Sequence, residues 1–188
     1  MGETGSGEFD PRNFLASFRL VAVGVLMAPR AFFAEMQRSG GFGPPAIFLL
    51  ACLAIHTLIL GLLYKNAVLM GRHLLLGMVF PMITAGLLHF LLTRCFKARG
   101  TFEAAFRVNA YAAAVNLLSW FPVVGVLLEF YRLYVVTVGL SAVFTVETWK
   151  ALVAVVLIVA LYAALASGLT HLTGSAPGSV VMPPGGAV

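Results

Sequence analysis

The feature that most constrains the fold of this chain is a series of hydrophobic stretches between residues 45 and 172. A hydrocarbon core about 30 Å thick is crossed by about 20 apolar residues of helix, and the series supplies that length several times over. Hydrophobic residues make up 61% of the chain and charged residues only 10%, so the chain cannot cover its surface with groups that face water. The sequence therefore predicts an all-α fold, a polytopic bundle of transmembrane helices.

Glycine, proline and charged residues divide these stretches into five predicted spans. The sequence Gly43-Pro44-Pro45 suits the start of a helix. The turn from Phe121 to Gly125 divides an apolar region that is too long for one span. The predicted spans are residues 45–64, 74–93, 108–122, 125–145 and 151–172, and together they form a transmembrane domain at residues 40–172.

The segments outside this domain are expected to behave differently from one another. Residues 1–11, rich in glycine and acidic residues, are expected to form a flexible leader, and residues 173–188, which hold no charged residue, a disordered tail. Residues 12–39 are expected to form cytoplasmic interfacial helices, because the apolar residues at 14–28 repeat at helical spacing over a stretch that is short for a span. A span at 14–28 is the alternative.

The distribution of lysine and arginine predicts the orientation. Cytoplasmic loops of membrane proteins carry an excess of these residues, and with five spans nine of them fall on one side. These nine are Arg12, Arg19, Arg30, Arg38, Arg94, Lys97, Arg99, Arg107 and Lys150, whereas the other side receives Lys65 and Arg72. The amino terminus is therefore expected in the cytoplasm and the carboxyl terminus outside, in a cell inner membrane. Because the basic residues serve as orientation signals, no nucleic-acid partner is predicted.

The best candidates for an intramembrane site are ionisable and polar residues within the spans, since such groups are costly there. Glu129 and Arg132 share one helix face at i, i+3 spacing, with Tyr131 beside them. They suggest either an ion or headgroup site or a structural ion pair that fixes the depth of the helix, and we favour the structural pair.

Four further polar residues within the spans are expected to have packing roles. Asn109 and Asn116 lie seven residues apart on one face, where amides commonly hydrogen-bond neighbouring helices. His56 and His89 lie in different spans without carboxylates at ligand spacing, so a packing role is favoured over a proton relay or a metal site. We expect no metal site and no cofactor.

Other residues are expected to contact lipid or to shape the helices. The aromatic pair Phe32-Phe33 is expected to be aimed at lipid, and the basic loop from Arg94 to Arg107 to bind anionic lipid or an acidic partner. The predicted contacts are Phe32, Phe33, Arg30, Arg94, Lys97 and Arg99, and the predicted hinges are Pro81 and Pro122. Small residues at 160, 164 and 168 form a stripe for close helix approach, within the fold or between protomers, and we favour the fold.

The chain resembles a known family in several short motifs. They include Ala28-Pro29-Arg30-Ala31-Phe32-Phe33, Gly43-Pro44-Pro45, Ala110-Tyr111-Ala112-Ala113-Ala114, Phe121-Pro122-Val123-Val124-Gly125 and Tyr131-Arg132-Leu133-Tyr134. In these the chain is similar to the Yip, or Ypt-interacting-protein, family, and especially to its prokaryotic branch. The resemblance implies five spans and a cytoplasmic amino terminus. Eukaryotic members are linked to Rab-type GTPases and membrane traffic, whereas prokaryotic relatives have no established activity.

Two functions are compatible with these features. The chain contains no nucleophile elbow, phosphate-binding glycine loop, zinc-protease motif or dinucleotide fingerprint, so we expect no enzyme and no catalytic residue. The main hypothesis is a non-catalytic membrane-organising or partner-recruiting module, with membrane lipids and either a membrane protein or a second copy of the chain as partners. The alternative is a small channel, transporter or lipid scramblase with a polar path near Glu129 and Arg132.

Overall fold

The computed structural model of the chain describes residues 8–119 and 122–173, and within them every regular element is helical. Most of the predicted leader and nearly all of the predicted tail lie outside the described residues. Seven α-helices follow one another: α1 Phe14–Met27, α2 Pro29–Glu35, α3 Gly43–Tyr64, α4 Ala67–Arg94, α5 Phe102–Ala112, α6 Pro122–Phe144 and α7 Thr148–Thr173. Short 3-10 helices at Pro11–Asn13 and Ala113–Leu117 adjoin α1 and α5.

Four of these helices are long and apolar enough to cross a membrane. The qualifying parts are Gly43–Leu63, Met70–Arg94, Val124–Phe144 and Thr148–Leu169, with mean hydropathies of 2.6, 2.0, 1.6 and 2.6. They belong to α3, α4, α6 and α7 and coincide, apart from a few residues at their ends, with the first, second, fourth and fifth predicted spans. The sequence therefore predicted the position and length of these four helices.

The third predicted span, residues 108–122, is not one continuous α-helix. The α-helix ends at Ala112, and a 3-10 helix continues only to Leu117. The carbonyl of Asn116 accepts hydrogen bonds from the backbone N–H of Ser119 at 3.3 Å and from His56 on α3 at 2.9 Å. A carbonyl in a continuing α-helix would bond to the N–H four residues later, so these contacts show that no α-helix continues past Asn116.

The helix α5 forms the centre of the bundle. Every residue from Ala104 to Val115 is buried, and six of these twelve residues are alanine. Small side chains let neighbouring helices approach closely. The closeness is evident at Gly139 of α6, where a Cβ would lie 2.7 Å from Cγ1 of Val108. A helix that is surrounded by other helices is covered by protein rather than by lipid. It can therefore be shorter than a lipid-exposed span.

The helices α3 and α5 begin at the same end of the bundle and run side by side. The N–H of Gly41, just before α3, donates to Oε1 of Glu103 in the first turn of α5 at 2.7 Å. Further along both elements, Nδ1 of His56 lies 2.9 Å from the carbonyl oxygen of Asn116. The α5 helix and the 3-10 helix after it therefore run in the same direction as α3. The helix α4, which lies between α3 and α5 in the sequence, runs in the opposite direction.

The helix α6 ends, and α7 begins, at this same end of the bundle. Gly100, just before α5, packs against Phe144 at the end of α6, and the Phe96 and Trp149 rings lie 6.3 Å apart. The five segments α3 to α7 therefore alternate in direction. We call the end that carries Arg94 the basic end, and the end that carries Lys65 the opposite end.

The helices α1 and α2 form an antiparallel hairpin along the side of the bundle. The Phe18 and Phe48 rings lie 5.1 Å apart, and the Tyr131 hydroxyl donates to the carbonyl of Leu26 at 2.8 Å. Tyr131 lies thirteen residues before the end of α6, about 20 Å along the helix axis. The hairpin thus runs alongside the bundle, and Val21 and Val25 are buried against the other helices. The location of these helices in the membrane interface stays a prediction.

The last residues of the predicted leader are packed against the bundle. The Phe9 side chain is 3% exposed, and its ring lies 5.7 Å from that of Phe48. Glu8 forms an ion pair with Arg107 on α5. The expectation of a flexible leader over residues 1–11 is therefore wrong for residues 8–11, because apolar and ionic contacts with α3 and α5 hold this part in place.

Candidate functional site

The α4–α5 loop, taken from Arg94, the last residue of α4, to Thr101, presents the predicted lipid or partner contacts Arg94, Lys97 and Arg99. All three residues are exposed, and none is in an ion pair within residues 8–119 and 122–173. Lys97 has a left-handed backbone with φ of 54°, and the N–H of Ala98 donates to the carbonyl of Leu92 at 3.0 Å. The loop is therefore a defined turn that holds three unpaired cations at the basic end.

A close contact fixes this loop against α6. A Cβ on Gly100 would lie 2.3 Å from Cδ1 of Phe144, the last residue of α6. Real side chains do not approach so closely, so a residue larger than glycine would displace the loop or the ring. The position of the basic residues consequently depends on a glycine that carries no charge itself.

An open cavity of about 380 Å³ lies between this loop and the α6–α7 turn, lined by Lys97, Arg99 and Lys150. Glu147, its acidic lining residue, lies 3.3 Å from Nζ of Lys150. Hydrogen bonds from Trp149 and Lys150 lower the pKa of Glu147 below its ordinary value. Glu147 therefore stays ionised and balances Lys150, whereas Lys97 and Arg99 leave the cavity with a positive charge.

The predicted pair of Glu129 and Arg132 is formed on α6. One guanidinium nitrogen of Arg132 donates to Oε1 of Glu129 at 2.9 Å, with the side chains 30% and 58% exposed, respectively. Nε of Arg132 is buried and has no hydrogen-bond partner among the described residues. The guanidinium therefore retains a donor that the ion pair does not use.

Two cavities meet at this ion pair. The smaller cavity, about 110 Å³, lies among α4, α5, α6 and α7, and Asn109, Thr84 and Tyr162 contribute polar groups to its lining. Oγ1 of Thr84 and the hydroxyl of Tyr162 lie 2.9 Å apart. The amide nitrogen of Asn109 donates to a carbonyl one turn earlier in α5 at 2.9 Å. The structure therefore brings Asn109 beside the wall formed by Glu129 and Arg132.

The larger cavity, about 430 Å³, lies among α3, α4, α6 and the 3-10 helix, and His56, Thr57 and Asn116 line it together with the ion pair. Because its partner is the Asn116 carbonyl, Nδ1 of His56 is the donor, and Nε2 is an acceptor when the ring is neutral. Oγ1 of Thr57 is buried without a hydrogen-bond partner in the described part of the chain. With His73 of α4, polar groups of four elements thus converge here.

Two predicted site residues do not join these cavities. The His89 ring lies 6.1 Å from that of Phe144, toward the basic end of α4. The Tyr131 hydroxyl bonds to Leu26 and so connects α6 to the hairpin. Across residues 8–119 and 122–173, no three His, Cys, Asp or Glu side chains are placed to hold a metal ion.

The predicted hinges lie at different kinds of position. Pro81 is buried inside α4, which is assigned as one helix from Ala67 to Arg94. Pro122 is the first residue of α6, a position at which the missing N–H of proline leaves no hydrogen bond unmade. Residues 120 and 121, within the turn predicted between the third and fourth spans, lie outside the described part.

The predicted aromatic contact with lipid is wrong for Phe33. Its side chain is 1% exposed, and a Cβ on Gly139 would lie 3.1 Å from its ring. Phe32 is partly buried, with its ring 5.5 Å from that of Tyr111. Arg30 is exposed. Phe33 faces the core, where Gly139 of α6 leaves room for its ring. The helical spacing of α2 alone does not indicate this contact.

The small-residue stripe on α7 also differs from our expectation. Ala160, Ala164 and Gly168 are exposed, and a Cβ on Gly168 would meet no neighbouring atom within 4 Å. The favoured role of the stripe in packing within the fold is therefore wrong. Its alternative, close approach between protomers, remains a prediction.

Sequence reasoning missed a buried ionic cluster around Arg107. This side chain is 1% exposed, and it pairs with Glu8 at 2.9 Å and Glu103 at 3.2 Å. Nη1, which donates to Glu8, also donates to the carbonyl of Gln37 at 3.3 Å, and Nη2 donates to the carbonyl of Gly41 at 3.1 Å. We call these five residues the Arg107 cluster. It ties the amino-terminal segment, the α2–α3 linker and α5 together.

One signal in the sequence could have indicated half of this cluster. Glu103 and Arg107 have the i, i+4 spacing of a helical ion pair. Glu8, by contrast, lies 99 residues from Arg107 in a glycine-rich segment, and no local pattern predicts that contact. Arg107 ends the basic loop predicted from the sequence, and nothing in the sequence marks its side chain as buried.

The long apolar helices, their alternating directions and the polar groups between them define a multi-pass helical membrane protein. The model of one protein family matches the chain at residues 23–169, and its description is the Yip1 domain. The chain belongs to the Yip1 domain family. No curated protein and no solved structure is similar enough to match it.

Proposed function

We propose that the chain is a non-catalytic membrane-organising or partner-recruiting module of the prokaryotic branch, and that its basic end is the recruiting surface. The observation that carries this proposal is the α4–α5 loop, where Arg94, Lys97 and Arg99 are exposed without an acidic partner in the described ranges. Cations at a membrane surface attract anionic headgroups and acidic segments. The contact of Gly100 with Phe144 supports a surface of fixed shape.

We further propose that all five segments from α3 to α7 cross an inner membrane. The alternating directions support this topology, and the segment of α5 and its 3-10 helix has a length of about 26 Å at the usual rises per residue. The burial of its residues 104–115 supports a crossing that is shorter than the lipid-facing ones. The basic end then faces the cytoplasm, the carboxyl terminus lies outside, and the α1–α2 hairpin occupies the cytoplasmic leaflet.

Charge reversal tests the recruiting surface. The triple variant Arg94→Glu, Lys97→Glu and Arg99→Glu is purified in nanodiscs beside the wild type, and mass spectrometry compares bound lipids and proteins. We expect anionic lipid or an acidic protein to be retained by the wild type and lost from the variant. Reversal of Lys65 and Arg72, at the opposite end, is the matched control. Equal retention by all three proteins would exclude the basic end as the recruiting surface.

The two cavities at Glu129 and Arg132 favour one second candidate, a small channel, transporter or lipid scramblase. Together they place polar groups of α3, α4, α5 and α6 along both sides of one ion pair. In proteoliposomes, this function predicts ion flux or lipid flip above that of empty vesicles, with a decrease in an Arg132→Gln variant. Activity equal to that of empty vesicles would remove the candidate.

We propose a second copy of the chain as one of the recruited partners. The exposed face of α7 at Ala160, Ala164 and Gly168 supports this, because small residues permit close contact between helices in lipid. Bulky substitution at Ala164 should then lower the fraction of cross-linked dimers in membranes, whereas the same change at Ala163 should not.

A further inference from the structure

The helices α1 and α2 enclose an open groove of about 650 Å³ on the outside of the molecule. Apolar and small residues form most of its lining: Leu20, Val23, Gly24, Ala28, Ala31 and Phe32. At Gly24 a Cβ would lie 3.2 Å from Cδ2 of Phe32, so the two helices approach closely at its floor. The groove is thus a shaped apolar surface rather than a flat one.

Two charged residues lie at one end of this groove. Arg19 and Glu35 both line it, and they lie nine residues before and seven residues after Ala28, where the hairpin turns. They therefore occupy nearly the same level on opposite helices. The neighbouring Phe18 contacts Phe48 near the start of α3, so this level is close to the basic end.

The groove consequently changes from charged to apolar with distance from the basic end. From Arg19 to Ala28 it extends about 14 Å along α1, and no charged residue lines this part. A phospholipid in the leaflet on that side has the same order, with its headgroup at the surface and its acyl chains directed inward. An acyl chain against the groove would also cover Leu20 and Val23, which are 57% and 49% exposed.

The two charges are complementary to a zwitterionic headgroup. Neither Arg19 nor Glu35 is in an ion pair or a side-chain hydrogen bond among the described residues. A guanidinium binds phosphate through paired hydrogen bonds, and a carboxylate accepts hydrogen bonds from a primary ammonium. Phosphatidylethanolamine offers both groups, whereas phosphatidylcholine has no N–H to donate and phosphatidylglycerol has no cation.

We propose that this groove is a binding site for one phosphatidylethanolamine molecule, with its phosphate on Arg19, its ammonium on Glu35 and an acyl chain against Gly24 and Ala31. A second copy of the chain is a poorer occupant. The exposed face of α7 between residues 151 and 170 holds no charged residue, so its docking would leave Arg19 and Glu35 unpaired. The site is separate from the α4–α5 loop and does not depend on the recruiting function.

The test uses the full chain in nanodiscs of equal parts phosphatidylethanolamine and phosphatidylcholine, with lipids that stay bound counted by native mass spectrometry. Glu35→Gln removes the ammonium contact, and Ala31→Phe fills the groove without changing a charge. Glu35→Gln should lower the retention of phosphatidylethanolamine relative to phosphatidylcholine about tenfold, as expected for the loss of one charge-assisted contact. Ala31→Phe should also lower this ratio, because it occupies the place of the acyl chain. Glu147→Gln and Ala163→Phe are the matched controls and should retain the wild-type ratio.

A phosphatidylethanolamine with a photoreactive group in its acyl chain locates the site independently. We expect cross-links to concentrate on peptides that contain residues 19–35. Labelling spread evenly over α7 and α4 would overturn the proposal, as would equal retention of both lipids by the wild type. Cross-links between α1 of one chain and α7 of another, in place of lipid, would identify a second copy as the occupant and also overturn it.

Discussion

Arg107 on α5 donates hydrogen bonds to both carboxylate oxygens of Glu8, each at 2.9 Å, across 99 residues of sequence. The Arg107 side chain is 1% exposed, and the Glu8 side chain is 9% exposed. A buried charge is tolerated only when it is paired and hydrogen-bonded. At the basic end, the buried charge of the central helix α5 is therefore paired by Glu8, a residue that precedes the first helix of the chain.

Removal of Glu8 should destabilise the fold. Glu8→Ala leaves Arg107 with Glu103 and two carbonyls, so we expect a loss of about 2 kcal/mol in the free energy of unfolding. Arg107→Ala removes the centre of the cluster and should cost about 3–5 kcal/mol. Denaturation in mild detergent, followed by circular dichroism, measures both. The control is Glu147→Gln, which removes an exposed pair, and a Glu8 variant as stable as this control would contradict the role of the cluster.

Gly100 should not tolerate a side chain. Gly100→Ala places a Cβ 2.3 Å from Cδ1 of Phe144, and overpacking of this kind typically costs about 1–3 kcal/mol. Gly71→Ala in α4, where a Cβ meets nothing within 4 Å, is the matched control. It should be neutral or stabilising, because alanine favours a helix over glycine by up to about 1 kcal/mol. The measurement is thermal unfolding of the two variants in one detergent. Equal midpoints would contradict the prediction that Gly100 cannot carry a side chain.

Tyr131→Phe should loosen the α1–α2 hairpin without unfolding the bundle. The substitution removes the hydroxyl that donates to Leu26 at 2.8 Å and keeps the ring, so about 1 kcal/mol is expected to be lost. Hydrogen exchange by mass spectrometry should reveal faster exchange at residues 14–35 and unchanged exchange in α7. Tyr134→Phe is the control on the same helix. Unchanged protection of the hairpin would indicate that this bond does not hold it.

The larger cavity should be accessible to water. In a Cys95→Ser background, Ser119→Cys places a thiol on its lining, whereas Ala110→Cys places one in the fully buried part of α5. A small charged methanethiosulfonate reagent should label the first thiol and leave the second unlabelled. Native Cys52 is 0% exposed and should also remain unlabelled. An unlabelled thiol at position 119 in a folded sample would contradict a water-accessible polar path near Glu129 and Arg132.

The sequence was sufficient to predict elements that depend only on local composition or local spacing. Four span-length helices follow from their apolar content, and the pair of Glu129 and Arg132 follows from its spacing on one helix. The sequence could not indicate contacts between distant segments. Phe33 is buried against Gly139 of α6, and the 3-10 helix after α5 contacts His56 of α3 through the carbonyl of Asn116. Such partners are identified only when the fold brings them together.

The central claim is that α5 and its 3-10 helix form a fifth crossing, with the basic end in the cytoplasm. Two proteins test it, each with one accessible cysteine because native Cys52 is buried: one keeps native Cys95, which is exposed in the α4–α5 loop, and the other carries Ala187→Cys in a Cys95→Ser background. A membrane-impermeant maleimide is applied to intact cells and to inverted vesicles. We predict that Cys95 is labelled only in inverted vesicles and the tail cysteine only in intact cells. Labelling of both thiols from the same side would contradict five crossings and require an even number.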